Sequence, residues 1–125
     1  MIPAPAFDLG EPGTFEFTAR RAFDGRRLNR FALGLRDPEA RAAFLADDAA
    51  AMRAASLTDH ECDLVRERDW TGLLRAGGHL QAILKLAATV GEDLWDVGAH
   101  TVGCSRDELR AACPRWVDGL PDGQR

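Results

Sequence analysis

Tyrosine is absent from the chain and β-branched residues are scarce. That combination disfavours a sheet, where aromatic and branched side chains pack best. No apolar run approaches the roughly 20 residues that a membrane helix needs. The opening MIPAPAF has no basic stretch followed by an apolar one, so it does not read as a signal peptide. Positive charge is in deficit, with a net charge of −4 and a pI near 5.3. A general nucleic-acid binder needs a basic surface to neutralise phosphates, so neither nucleic acid nor membrane is an expected partner. Cysteine occurs at Cys62, Cys104 and Cys113 only, an odd number without CxxC spacing. These read as reduced thiols in a cytoplasmic protein, not as a disulfide framework. Serine is limited to Ser56 and Ser105, both in turn or cap positions, and no GxSxG is present. Nor is there a GxxxxGK[ST] phosphate loop.

Alanine, leucine and arginine dominate what is there, a helix-forming composition. With 125 residues, 46% of them hydrophobic, the chain can bury one core without staples. The expected fold is all-α: a small multihelical domain with an extended N-terminal arm and a long loop after a central helix. Pro3, Pro5, Gly10, Pro12 and Gly13 make residues 1–13 the arm. Residues 14–117 form the helical domain, and 118–125 a loose tail.

Thr18 caps a first short helix that Asp24-Gly25 breaks. RRLNRFALGL follows, with Leu28, Phe31 and Leu35 at helical spacing. Arg20, Arg21, Arg26, Arg27 and Arg30 make this the one basic region, read first as a solvated face and second as an anion or partner contact. Asp37-Pro38-Glu39 starts a helix that should run to about Ala54. Thr58 and Glu61 form a capping box, with Leu57 placed for a hydrophobic staple. Asp69 caps a further turn through Trp70, Leu73 and Leu74, and Gly77-Gly78 ends it. His79–Val90 is the central helix, apolar almost all round and therefore expected to be buried on several sides. Glycines at 91, 98 and 103 make GEDLWDVGAHTVG a loop with one turn of helix at most. Ser105 and Glu108 open a last short helix that Pro114 stops.

No HxxxH, HxH or HxxE spacing links His60, His79 and His100. An iron site of two histidines and a carboxylate is therefore not expected in this chain. Read from its residues alone, it is short of catalytic groups and has more apolar helix surface than it can cover, which points to a partner.

PGTFEFTARRAFDGRRLNRFALGL, FLADDAAAM, SLTDHE, RDWTGLLRAGGHLQAILKLA and TVGCSRDEL occur in that order. Together they resemble the small, alpha subunit of the protocatechuate 4,5-dioxygenase type, a two-subunit extradiol ring-cleaving family. The most specific parts are Pro12-Gly13-Thr14 with Phe17-Thr18, Leu28-Asn29 with Phe31-Ala32, and Arg68-Asp69 with Gly77-Gly78 and Lys85-Leu86. The resemblance implies that Fe(II) and the acid/base histidine belong to a large beta subunit. No cofactor would be bound by this chain, which would wrap against that subunit and close its active-site mouth. A catecholic acid and dioxygen would meet at the shared site. In the family the segment after the central helix lends an aromatic side chain to the substrate pocket. The matching position is Leu94, with Trp95 beside it; His100 stands where the family has a small residue, and Thr101 follows. Leucine cannot stack on a ring, so either Trp95 takes that role or the pocket accepts a different substrate. Two other readings remain at this point. One is a stand-alone helical binding or scaffold module of the same fold. The other is a helix-turn-helix regulator, disfavoured because a recognition helix needs an exposed polar face.

Overall fold

The computed structural model describes residues 16–113. The arm at 1–13 and the tail beyond Cys113, with Trp116 and Val117, lie outside them. Among the described residues there are nine helices and no strand, so the domain is all-α. They are α1 Ala19–Asp24, α2 Arg26–Gly34, α3 Pro38–Ala46, α4 Asp48–Ala54, α5 Asp59–Arg66, α6 Trp70–Arg75, α7 Leu80–Thr89, α8 Leu94–Val102 and α9 Arg106–Ala112. Among the described residues, no helix is long and apolar enough to cross a membrane.

Short helices need their ends satisfied, and side chains do this at nearly every start. Thr18 Oγ1 accepts from Arg21 N–H at 3.2 Å, and Asp37 Oδ1 from Glu39 N–H at 3.2 Å. The Thr58–Glu61 box closes both ways, at 3.1 and 2.9 Å. Asp69 Oδ1 accepts from Gly72 N–H at 2.9 Å, and Ser105 Oγ from Glu108 N–H at 3.1 Å. His79 is itself the cap of α7: its Nδ1 accepts from Gln81 N–H at 3.2 Å.

The core is built on α2 crossing α7. Leu28, Ala32 and Leu35 meet Ala82, Ile83, Leu86 and Ala87, and Phe44, Met52, Leu64, Trp70, Leu73 and Val97 close round them. One close approach joins the two helix corners beside that crossing. The α1–α2 corner at Gly25 presses backbone to backbone on the α6–α7 corner at Gly77. A Cβ on Gly25 would collide with the Gly77 carbonyl. Gly77 also sits at φ +105°, where side chains are strained. Asn29 spans the two corners, donating from Nδ2 to Gly77 O at 3.0 Å and accepting at Oδ1 from His79 N–H at 2.7 Å. The diglycine is thus a helix corner, and also half of a clamp.

Three expectations need correction. The helix from Pro38 to Ala54 is two helices, because Asp47 leaves helical geometry at φ −154°. Its carboxylate then caps α4, accepting from Ala50 N–H at 3.1 Å. The central helix is buried along one side only: Leu80 is 42% exposed, and Gln81, Lys85 and Ala88 face solvent. Most importantly, the long loop after it is a nine-residue helix, α8. Gly91 and Gly103 have positive φ and bound that helix, while Gly98 lies inside it, with Leu109 Cδ2 at 3.1 Å from where a Cβ would stand. Glycine there weakens the helix but lets α9 close on it.

Candidate functional site

α8 carries all four residues singled out in the sequence, and its position follows from both its ends. At the start, Asp93 Oδ1 accepts from Asp96 N–H at 3.2 Å and Asp96 Oδ2 from Asp93 N–H at 2.9 Å, a reciprocal capping box. Arg106 of α9 locks that box, with Nη2 at 2.6 Å from Asp93 Oδ2 and Nε at 3.6 Å from Asp96 Oδ1. Its guanidinium, and then the Asp96 backbone N–H, hold the Asp93 carboxyl well below the usual carboxylate range. The same bond raises the Arg106 pKa.

Three consecutive residues of the α6 start reach both ends of α8. Trp70 donates its indole N–H to Glu92 Oε1 at 3.2 Å, just ahead of the helix. Thr71 Oγ1 lies 2.7 Å from His100 Nδ1 and 3.4 Å from Thr101 Oγ1, in its last turn. Asp69 Oδ1 lies 3.8 Å from His100 Nε2. Thr71 N–H also donates to His100 Nδ1 at 3.4 Å. Thr101 Oγ1 donates to Val97 O at 3.1 Å within the helix.

The four sequence candidates divide between two places. His100 and Thr101 converge on Thr71. Leu94, 51% exposed, and Trp95, half-buried, sit in the first turn. Arg110 lies over the Trp95 ring, 5.6 Å from its centroid. A cation over the ring face holds the indole in place and leaves its edge for other contacts. Leu94 and His100 point about 120° apart on a helix that turns about 100° per residue, so they do not line one wall. The sequence reading missed Asp69, Thr71 and Glu92 as partners of α8. It also missed the box at its start, although Asp93 three residues before Asp96 was the available signal.

No group of three or more His, Cys, Asp or Glu side chains that could hold a metal occurs among the described residues. His100 and Asp69 give two donors, with His100 Nδ1 already bonded to Thr71. His79 is committed to capping α7. The described residues therefore do not fit an iron ligand set, and no chemical step runs through a metal on them. What α8 offers is a braced helix with an exposed leucine, an indole and a hydroxyl-imidazole pair.

The Asp93 pKa has a consequence in acid. A carboxyl depressed in the fold contributes stability above its unfolded value of about 3.9, and loses it as pH falls from there. Wild type should therefore lose part of that stability as pH falls below about 4, whereas Asp93→Asn should start weaker and change less in that window. Urea melts at pH 7 and pH 3 measure the difference. The pair is exposed, so 1 M salt should shrink it. An equal acid loss in both proteins would show that Asp93 does not carry it.

The family model for the aromatic-ring-opening dioxygenase LigAB, LigA subunit, matches residues 28–113. Gallate dioxygenase of Pseudomonas putida (strain KT2440) is 36% identical over 97 residues, 78% of this chain. The matched stretch spans 28% of that protein's length.

Proposed function

The chain belongs to the LigA-subunit family of aromatic-ring-opening dioxygenases, and from that premise we propose that it works as the small subunit and lid of a two-part enzyme. The larger part would be an iron-bearing beta subunit that opens the ring of a protocatechuate-like catechol with dioxygen. The observation that carries this reading is the family match across residues 28–113, nearly the whole described fold. The relative supports it from another side: its matching stretch is 28% of a much longer chain that is a gallate dioxygenase.

The lid's work is physical. Residues 69–71 and Arg106 brace α8, and Leu94 and Val102 on it are 51% and 44% exposed, apolar surface that a large subunit would cover. Laid over an active-site mouth, the helix would exclude water and present the Trp95 edge and Leu94 to an aromatic acid. His100, Thr101 and Thr71 would supply polar contacts at its far end. Fe(II) and the acid/base group would belong to the partner. The exchange of an aromatic for Leu94 would leave ring contact to Trp95, and would widen the pocket relative to a stacked ring.

Co-expression with the large subunit of the same organism, followed by oxygen uptake on protocatechuate and gallate, tests the proposal. Association with oxygen consumption is expected, as is a fall of about tenfold or more in turnover for Trp95→Ala, with assembly unchanged. A pair that does not associate, or associates and consumes no oxygen on any catecholic acid, overturns the reading. Equal loss of assembly and turnover would make Trp95 a packing residue.

A further inference from the structure

We propose that the cleft between α2 and the α3–α4 pair is a binding site for a small aromatic carboxylate, separate from the surface carried by α8. The cleft has a volume of about 510 Å³. That lies within the usual range for small-molecule pockets, which are apolar with a few placed polar groups. Alanines line it, Ala43 and Ala51 among them, together with the half-buried Phe31 ring. Phe44 meets that ring edge-on, 5.7 Å between centroids, and fixes its plane. An aromatic wall among small apolar side chains suits a planar ring better than a flexible chain.

Charge defines the other end of the ligand. Arg27 and Arg30 stand at the rim, three residues apart on one face of α2. Among the described residues, neither is ion-paired, whereas Arg20 pairs with Asp24 and Arg26 sits over Phe23, bonded to its carbonyl. The placement is electrostatically costly. Arg26 and Arg27 crowd the positive end of α2, and no acid lies in its first turn. An anion between Arg27 and Arg30 would relieve the repulsion between these two arginines. Two guanidiniums also match a carboxylate's two oxygens better than a single cation does.

Ser56 adds a third feature. It closes α4 at φ +60°, a position where glycine is the usual residue. Serine there strains the backbone by about 1 kcal/mol and sets a hydroxyl-bearing residue at the rim. The site therefore combines an apolar slot, a two-cation rim and a neutral donor. It shares no residue with the α8 surface and does not depend on the ring-opening reading.

The test uses the full chain without a large subunit, so its outcome is distinct from that of the oxygen-uptake assay. Benzoate and phenylacetate would be titrated into labelled protein and followed by amide chemical shifts. Saturable shifts at Phe31, Ala43, Ala51 and Ser56 are expected, with Kd between about 0.05 and 1 mM for so small a ligand. Benzyl alcohol should bind at least about tenfold more weakly, as should benzoate to the Arg27→Gln/Arg30→Gln protein. Ala51→Leu, which fills the cleft and leaves both charges, should abolish the shifts. Unsaturable shifts spread over arginines of other elements, such as Arg68 and Arg106, would overturn the site. Equal binding of benzyl alcohol would overturn the anion, tighter binding of decanoate the ring, and full affinity in Ala51→Leu the location.

Discussion

Replacing Gly77 with alanine is expected to destabilise the domain by about 3 kcal/mol or more and to lower its melting temperature by about 12 °C or more. Two effects add. The backbone stands at φ +105°, which a Cβ resists. The Cβ would also enter space filled by the Arg21 carbonyl and by Gly25 N, 2.7 Å away. None of these atoms is a flexible side-chain end, so relief requires the two helix corners to separate. Separation would stretch both Asn29 bonds, at 3.0 and 2.7 Å, and leave the Gly77 carbonyl unpaired. Gly25→Ala isolates the steric part, since Gly25 has an ordinary φ of −92°. Because both variants fill the same gap, the double variant should cost clearly less than the sum of the two. Circular-dichroism melts decide it: a Gly77→Ala protein within about 0.5 kcal/mol of wild type would show that the corners do not touch in solution.

That clamp shows how far the sequence could be read. The glycine pair marked a corner, because an end to apolar periodicity followed by glycine is a local signal. Nothing local marks Gly25 as its counterpart, or Asn29 as the tie, since those pairings span some 50 residues of chain. The same division runs through the helices. Thr58–Glu61, Asp37-Pro38 and Asp69 were legible because capping chemistry is written within four residues. Asp47 has the same chemistry, but it sits inside an alanine-rich run that reads as uninterrupted helix, so the break there was missed. α8 was hidden for the opposite reason. Its three glycines argued for a loop, yet two of them are its boundaries and the third, Gly98, is where Leu109 of α9 closes on it. The four residues singled out for the site do lie on one element. Their division into an exposed first turn and a bonded last turn depends on that element being helical, and on Thr71, which no motif pointed to.

Trp70→Ala should be the other large loss, about 3–5 kcal/mol in urea unfolding. The indole is 2% exposed, in the core beside Leu73 and Ile83, so truncation leaves a cavity that the short helices around it can only partly close. Its N–H also holds Glu92, which pairs with Arg68 at 3.4 Å and leads directly into the Asp93 cap of α8. Core volume and the position of α8 therefore meet in one side chain, and Trp70→Phe separates them. Phenylalanine keeps most of the burial and removes only the bond to Glu92, a change of about 1 kcal/mol in stability. Yet it should speed amide exchange across residues 94–102 relative to α7, because the helix is then braced mainly at its Thr71 end and by Arg106. If Trp70→Ala costs less than about 1 kcal/mol, the indole is not packed as described. If Trp70→Phe leaves exchange in α8 unchanged, Glu92 does not brace it, and the position of α8 must come from Thr71 and α9.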